Sequence, residues 1–297
     1  MEAQDFIKLD QAIKDYLRKN EQWNNKKDEI LPTGFAALDK LTGGIRRSEL
    51  VVIGGRPAMG KTALAVNIAL NAVKKGKTVL YFSLEVENSH LAQRFLVAES
   101  GIRGHKISAG MMNGNAQWQR FSASLKVLAE AHLYIDDQEA ISINEIKKQV
   151  RKMRERGELD LVIIDYVQLI KGAAAAKEMS KIIDVLFSLT YMYGVPVIVT
   201  SQLSRSIESR KNKKDFRASD LRGARELAFK ADTVIFLYRD EYYKPLKKSN
   251  QVQDMELIVF KHRRTESGPA KLAGTVKLFL DTESGKITDR KEGDING

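Results

Sequence analysis

Apolar runs of strand length recur along the chain after residue 50, and most of them are continuous rather than alternating. They cover residues 50–53, 78–84, 160–166 and 196–202. A continuous apolar run is typical of a strand that is buried on both faces, as in a parallel sheet. These four segments are therefore predicted as the core strands of a mainly parallel sheet.

Helical periodicity occupies the segments between these strands. A helix is predicted over residues 62–73, and Ser142 with Glu145 three residues later predicts a capping box at the start of another. That second helix carries apolar side chains on one face, at Ile143, Ile146, Val150 and Met153. A third is predicted from Ile182, Leu186 and Leu189. Strands that alternate with helices predict an α/β fold with helices on both faces of the sheet.

The last third of the chain departs from this alternation. Residues 233–238, 255–260 and 275–280 are predicted strands that follow one another with short turns. This pattern indicates antiparallel hairpins at the C-terminal end of the sheet. Earlier, residues 173–176 are four consecutive alanines, read either as a helix start or as a placeholder for unassigned residues.

The first thirty residues have a different pattern from the rest. Apolar residues recur at helical spacing within residues 5–18, and a polar run over residues 20–29 follows. The pattern predicts an amphipathic helix and a linker in residues 1–30, ahead of a domain that spans residues 31–297. The apolar face of such a helix must be covered, either by its own domain or by a neighbouring subunit.

The composition is typical of a globular protein with a core, since 43% of the 297 residues are hydrophobic and 29% are charged. The absence of cysteine excludes disulfides and thiolate metal sites. No apolar run reaches the roughly 18 residues of a membrane span. The N-terminus also lacks the apolar segment of a secretory signal. These features fit a cytoplasmic protein.

The net charge of +11 favours polyanionic partners, because cations that neutralise phosphates release counterions. The alternative is that the charge only maintains solubility. Nucleic acid is therefore one of two interpretations of the charge, and the motifs must decide between them.

A phosphate-binding sequence follows the first predicted strand. It consists of Gly55, Arg56, Pro57, Ala58, Met59, Gly60, Lys61 and Thr62. A strand precedes it and a helix follows, which is the context that this P-loop pattern requires. Backbone N–H groups and the helix N-terminus surround the phosphates, the lysine contacts the β and γ oxygens, and the threonine hydroxyl ligates Mg²⁺. The chain is therefore predicted to bind ATP and Mg²⁺ as a RecA-like P-loop nucleotidase.

Polar residues end three other predicted strands. Asp165 follows four apolar residues, Glu85 follows the strand over residues 78–84, and Gln202 ends the strand over residues 196–202. Because ligands bind at the carboxyl ends of parallel strands, these side chains are predicted to meet the P-loop. Asp165 has the position of a carboxylate that holds Mg²⁺. Glu85 is predicted as the general base, and Gln202 as an uncharged sensor of the γ-phosphate.

The chemistry also needs a cation that stabilises the transition-state charge on the γ-phosphoryl group. The best source is the cluster at the end of a late predicted strand, Lys261, His262, Arg263 and Arg264. A solvated basic turn is the alternative. If the cluster serves a neighbouring nucleotide, the protein works as a ring or a filament.

A basic segment, residues 205–217, follows the predicted sensor strand directly. Four of its cations are predicted to contact DNA phosphates: Arg210, Lys211, Lys213 and Lys214. A mobile cationic loop beside the sensor would change its grip on phosphates with the nucleotide state. A disordered, solvated loop is the alternative interpretation.

These motifs resemble the C-terminal motor domain of DnaB-type replicative helicases. The resemblance covers about residues 31–290 and includes residues 32–44 and the P-loop. It continues in Ile164-Asp165-Tyr166-Val167-Gln168-Leu169, Ser201-Gln202-Leu203-Ser204-Arg205 and Phe236-Leu237-Tyr238-Arg239-Asp240-Glu241-Tyr242-Tyr243.

The resemblance implies a hexameric ring that moves along single-stranded DNA with 5′-to-3′ polarity and binds nucleotides between subunits. It implies that Glu85 is the catalytic base and that Lys261 and Arg263 reach into the neighbouring site. It places DNA contacts in the loop after Asp220 and Leu221, which is Arg222, Gly223, Ala224 and Arg225. It also favours packing of the helix in residues 5–18 on the adjacent subunit. It further implies a cytoplasmic location in a bacterial or phage-infected cell.

Three departures from the family pattern bear on these implications. The N-terminal collar domain, which contacts primase and the helicase loader in the family, is expected to be missing from this chain. The Glu-Ser-Gly that usually follows Asp-Leu-Arg is Gly223-Ala224-Arg225, so main-chain contacts to phosphate survive but a carboxylate role is lost. The sequence after Arg263 is longer than usual, so either Arg263 or Arg264 could be the arginine finger.

Three hypotheses follow from these features. The leading one is an ATP-driven DNA helicase motor, and the second is a RecA-like or RadA-like ATPase that binds DNA without processive unwinding. The third is a binding module whose P-loop only switches conformation. Glu85 argues against the third, because a switch needs no general base. Lys261 with Arg263, and the segment 238–243, favour the helicase over the recombinase.

Overall fold

The computed structural model describes residues 9, 14, 30–112, 114–157, 159–243, 251–263 and 274–289. Leu9 and Lys14 are helical. The remainder of the helix predicted within residues 5–18 lies outside the described residues, as does Arg264.

Two sheets are present in the described part of the chain. A small antiparallel pair consists of β1 (Ile30–Leu31) and β2 (Ile45–Arg46). The strands of the large sheet are β3 (Leu50–Gly55), β4 (Val79–Ser83), β5 (Leu133–Asp136), β6 (Leu161–Asp165), β7 (Val197–Gln202), β8 (Thr233–Tyr238), β9 (Val252–His262), β10 (Gly274–Asp281) and β11 (Ile287–Asp289). Their spatial order is β11-β10-β9-β8-β3-β7-β6-β4-β5.

The large sheet is parallel on one side and antiparallel on the other. The strands from β8 to β5 in the spatial order pair in parallel. Strands β9, β10 and β11 add to the β8 edge in antiparallel pairs. The α/β prediction and the antiparallel C-terminal strands are therefore confirmed.

Helices cover both faces of the large sheet. They are α1 (Ala36–Thr42), α2 (Lys61–Val73), α3 (Asn88–Ser100), α4 (Gly104–Ser108), α5 (Gly114–Ala129), α6 (Ile143–Glu155), α7 (Ala176–Tyr193), α8 (Arg225–Lys230) and α9 (Asp240–Tyr243). The predicted capping box of Ser142 and Glu145 begins α6. The alanine run contributes the first residue of α7, Ala176. None of the described helices is both long and apolar enough to cross a membrane.

Alternate residues of the central strands belong to two separate hydrophobic clusters, one on each face of the sheet. Leu50 and Val52 of β3 pack on one face, with the apolar faces of α6, α7 and α8. Val51 and Ile53 pack on the other face, with α1, α2 and α3. Because both faces are covered, the polar groups that end the parallel strands are concentrated at one rim of the sheet.

Candidate active site

Four neighbouring strands bring the predicted site residues to one rim. Strands β3, β7, β6 and β4 are adjacent in this order. The register pairs Gly55 with Gln202, and Ser83 with Asp165. The start of the P-loop therefore lies beside the predicted sensor. Glu85, two residues beyond Ser83, lies beside the predicted magnesium ligand.

The P-loop joins the end of β3 to the start of α2. Gly60 precedes α2 with φ of 99°, a left-handed conformation that L side chains rarely adopt. A Cβ at this position would lie only 2.4 Å from Cε of Met255. The left-handed backbone conformation therefore favours glycine here, and a Cβ would also displace the terminal methyl of Met255. The turn places Lys61 at the N-terminus of α2, where backbone N–H groups are free for an anion.

Lys61 is held within the loop by a main-chain contact. Its Nζ donates a hydrogen bond of 3.1 Å to the carbonyl O of Arg56. Burial lowers the pKa of Lys61, while the negative charges of Asp165 and Glu85 oppose that shift. A cation that burial has partly stripped of water is suited to bind phosphate oxygens strongly.

Asp165 is buried and has both carboxylate oxygens oriented by neighbouring strands. The Tyr81 hydroxyl donates to Oδ2 at 3.0 Å, and the Thr200 hydroxyl donates to Oδ1 at 2.5 Å. Burial, and then the charge of Asp165, raise the pKa of Tyr81 well above its usual value, so this phenol stays a donor. One oriented carboxylate and the Thr62 hydroxyl form the kind of donor set that holds Mg²⁺ together with substrate phosphates.

A cleft of about 600 Å³ opens above the P-loop. Its lining includes Lys61, Thr62, Glu85 and Gln202, so the structure brings these predicted residues together. Four further polar residues, which the sequence did not assign to the site, line the same cleft: Arg94, Tyr166, Arg239 and Thr282. Arg239 and Tyr166 lie in motifs that carry the family resemblance, which is the signal that could have identified them. Arg94, in the second turn of α3, has no comparable signal.

Arg239 connects the P-loop to the antiparallel part of the sheet. Its guanidinium donates to the carbonyl O of Ala58 at 2.9 Å and also to Oε1 of Gln253. Burial lowers the pKa of Arg239. The contact with Ala58 ties the conformation of the P-loop to the segment after β8.

The contacts of the Arg56 side chain argue against a role in phosphate binding. Its guanidinium is buried and donates 2.7 Å to the carbonyl O of Leu203 and 2.8 Å to Glu208. We therefore revise the sequence prediction for this residue. The main chain of Arg56 belongs to the P-loop, whereas its side chain joins the loop to the segment that follows β7.

The predicted finger residues are bound within their own chain. Nζ of Lys261 donates to the carbonyl oxygens that end α8, those of Ala228, Phe229 and Ala231. Arg263 donates to Asp232 at 2.8 Å. Neither side chain lines the cleft of its own subunit. Their assignment to a neighbouring site stays a prediction.

Three of the four cations predicted to bind DNA between residues 205 and 217 hold protein partners instead. Arg210 makes a bidentate ion pair with buried Asp220, at 2.6 and 2.8 Å. Lys213 donates to main-chain carbonyls, including that of Arg210 at 2.7 Å. Lys214 pairs with Glu256 at 2.7 Å. These contacts argue against a mobile phosphate-gripping role for the three side chains, whereas Lys211 is exposed.

The second segment predicted to contact DNA, residues 222–225, is more exposed than the first. Arg222, Gly223 and Arg225 are exposed, and the guanidinium of Arg225 lies over the Phe229 ring at 5.6 Å. Ala224 is buried, so its side chain anchors the loop rather than facing a ligand. Gly223 has φ of 65°, which favours glycine at the turn.

Comparison with known proteins agrees with this architecture. Residues 31–281 match the family described as the DnaB-like helicase C terminal domain. The chain is 38% identical to "Replicative DNA helicase DnaB" of Geobacillus stearothermophilus over 91% of its own length and 59% of that protein. It is 37% identical to "Replicative DNA helicase DnaC" of Bacillus subtilis over 94% and 62%. The chain thus spans about 60% of the length of these curated relatives.

Two solved structures share the fold. One is an isolated ATPase domain with a TM-score of 0.83 and 32% identity, and the match covers 97% of this chain and 100% of that domain. The other is described as "The Structure Of A DnaB-Like Replicative Helicase And Its Interactions With Primase", and it has a TM-score of 0.81 and 32% identity, with coverage of 97% and 68%. The chain belongs to the family of DnaB-like helicase C-terminal domains.

Proposed function

We propose that this chain is the motor of a replicative DNA helicase, which hydrolyses ATP to move along single-stranded DNA. The observation that carries the proposal is the adjacency of two sites. The end of β7, which bears Gln202, is hydrogen-bonded directly to Arg222, since the Arg222 N–H donates 3.0 Å to the carbonyl O of Gln202. The proposed nucleotide sensor and the proposed DNA loop thus share one backbone contact.

The residues at the rim of the sheet have separate roles in the proposed hydrolysis of ATP. The P-loop N–H groups and Lys61 bind the β and γ phosphates, and Thr62 and Asp165 hold the metal. Mg²⁺ held by these two residues would neutralise the negative charge that develops on the phosphates. The exposed carboxylate of Glu85 accepts a proton from the attacking water. Gln202 contacts the γ-phosphate through its amide, so that its position depends on whether that group is present.

We further propose that each nucleotide site is completed by a neighbouring subunit in a hexameric ring. Lys261 and Arg263 lie outside the cleft of their own chain, which is what an arginine finger supplied in trans requires. Exposed apolar side chains on α5, Trp118 and Leu125, supply surface that another copy could cover. The helix predicted in residues 5–18 would pack on the adjacent subunit.

The partners and location are proposed from relatives. One of the similar solved structures is described as showing interactions with primase. We propose that primase, and a helicase loader, bind this protein through a domain outside the matched region. The family resemblance supports 5′-to-3′ polarity, a homohexamer and a cytoplasmic location.

Strand displacement on a forked duplex tests the proposal. With ATP and Mg²⁺, the chain is expected to displace a strand when the fork carries a 5′ single-stranded tail, and not when only a 3′ tail is present. ATP turnover stimulated by single-stranded DNA, without displacement on either fork, would instead support the RecA-like alternative. A turnover that DNA does not change would contradict both.

Salt dependence tests the DNA interface separately. The logarithm of the single-stranded DNA affinity should fall linearly with the logarithm of salt concentration, by about 0.7 for each phosphate neutralised. Arg222→Ala should reduce the steepness of this salt dependence by the amount that corresponds to about one phosphate contact. Lys148→Ala, an exposed cation on α6, is the matched control and should leave the slope unchanged.

A further inference from the structure

The side chain of Gln168 joins the segment after Asp165 to two other segments. It lies in a short 3₁₀ helix, Val167–Leu169, that follows β6. Its Nε2 is 2.9 Å from Oγ of Ser201, 3.3 Å from the carbonyl O of Gln202 and 3.0 Å from the carbonyl O of Arg222. Its Oε1 accepts a hydrogen bond of 3.2 Å from the N–H of Gln202.

The main chain joins the same segments around Gln168. Ser204 N–H donates 2.7 Å to the carbonyl O of Asp220, and Leu203 N–H donates 3.2 Å to the carbonyl O of Gly55. Leu203 and Leu221 form an isolated antiparallel bridge. The end of β7 is therefore attached to the P-loop on one side and to the predicted DNA loop on the other, with the Gln168 amide between them.

A primary amide is the group that this position requires. The surroundings present several acceptors and one N–H donor, and an amide offers two N–H donors and a carbonyl acceptor. A carboxylate would direct its negative charge at the carbonyl oxygens of Gln202 and Arg222. An aliphatic side chain would leave the Gln202 peptide and the Arg222 carbonyl without these partners, at the cost of unsatisfied polar groups.

We propose that Gln168 is a positioning residue that couples Gln202 to the loop of residues 222–225. When Gln202 moves in response to the γ-phosphate, the Gln168 amide carries that movement to the Arg222 carbonyl, and DNA held by the loop acts on Gln202 in the reverse direction. Gln168 acts through the Gln202 peptide and the Arg222 carbonyl, and it does not line the cleft. The inference rests on the proposed function, because it requires the loop to bind DNA.

The test compares ATP turnover of the whole chain with and without saturating single-stranded oligo(dT). Gln168→Leu should lower the ratio of stimulated to basal turnover about fivefold, within the range expected for loss of a coupling contact. Its KM for ATP should change much less. Gln149→Leu is the matched control, since Gln149 is a glutamine on α6 that is hydrogen-bonded to Asp136, away from the cleft. The control should preserve the ratio.

Gln168→Glu separates hydrogen bonding from shape. It preserves the size of the side chain but replaces two donors with a charged acceptor, so it should reduce the ratio at least as much as Gln168→Leu. A Glu variant that couples normally would overturn the inference. So would equal losses of basal and stimulated turnover in Gln168→Leu, which would indicate a general structural role. If the wild-type chain shows no stimulation by DNA, the proposed function fails first, and the two failures are distinguishable.

Discussion

Lys261 donates a 2.6 Å hydrogen bond from Nζ to the carbonyl O of Ala231, at the C-terminal end of α8. A cation here is favourable because carbonyl groups at the end of a helix lack helical partners. Burial and the nearby charge of Arg263 lower the pKa of Lys261. The N-terminal end of the same helix follows Ala224 of the predicted DNA loop. If Lys261 serves the nucleotide of a neighbouring subunit, it must exchange these hydrogen bonds for contacts with phosphate oxygens. Helix α8 lies between Lys261 and the predicted DNA loop.

A mixing experiment tests whether the finger acts in trans. Glu85→Gln and Arg263→Ala should each be nearly inactive alone, because each damages every site. In mixed rings, a site is intact when one subunit keeps Glu85 and its neighbour keeps Arg263. With random equimolar mixing the chance is one half times one half, so about a quarter of wild-type turnover should return. A mixture of Glu85→Gln with the double variant is the control and should show no recovery.

Recovery in that control would show that sites without Glu85 turn over ATP, whereas no recovery in the test mixture would contradict the trans assignment. In the second case Lys261 and Arg263 would have the structural roles seen within the chain, in the C-terminal cap of α8 and the ion pair with Asp232.

Glu85→Gln should separate ATP binding from hydrolysis. The amide keeps the shape of the side chain but cannot accept the proton, so kcat is expected to fall roughly 100-fold to 10,000-fold, the usual contribution of a general base. Binding of a fluorescent ATP analogue should change little. Glu87→Gln, a nearby exposed carboxylate, is the control and should keep normal turnover. Near-normal turnover of Glu85→Gln would show that another group activates the water.

Arg210→Ala should act on stability rather than on DNA contacts. Asp220 is 1% exposed and would lose its bidentate partner, so the free energy of unfolding should fall by about 3 kcal/mol. Lys211→Ala, at an exposed neighbouring cation, should change it by less than about 0.5 kcal/mol. Urea denaturation measures both. If Arg210→Ala is as stable as wild type but binds DNA with a lower salt slope, the residue contacts phosphate after all.

Buried Glu49 should make stability depend on pH. It accepts hydrogen bonds from the Thr233 hydroxyl and the Arg46 N–H, and burial raises its pKa from 4.5 to about 7. Between pH 4.5 and about pH 7, Glu49 therefore keeps a proton in the folded state that it has released in the unfolded state. Stability is retained below pH 4.5 and is lost as the pH rises to about 7.

Glu49→Gln should remove that dependence. Glutamine stays neutral, and its amide can still accept from Arg46 and donate to Thr233, whose hydroxyl can then donate to Nδ1 of His262. Relative to wild type, the variant should gain about 3 kcal/mol between roughly pH 5 and pH 8 in urea denaturation. A constant difference across that range would mean that Glu49 is not the titrating group.

Elements with a long apolar run or a clear helical period were predictable from the sequence alone. Strands β3, β4, β6 and β7 and helices α2, α6 and α7 belong to this group and were predicted correctly. Strands β5 and β11, which have four and three residues, were not predicted. Strands this short carry little pattern, and β5 also lies at the sheet edge, where Tyr134 is partly exposed.

The chemical identity of the nucleotide site was determined by the sequence itself. The P-loop pattern specifies its own backbone, and apolar strands that end in polar residues must place those residues at one rim. The partners of the cations were decided only by tertiary structure. Arg210 and Lys261 look equally suited to phosphate in the sequence, yet one neutralises a buried carboxylate and the other caps a helix. The charge of a side chain can be read from the residue itself. Its partner depends on which distant segment the fold brings within hydrogen-bonding distance. The contacts of Gln168 depend on the fold in the same way.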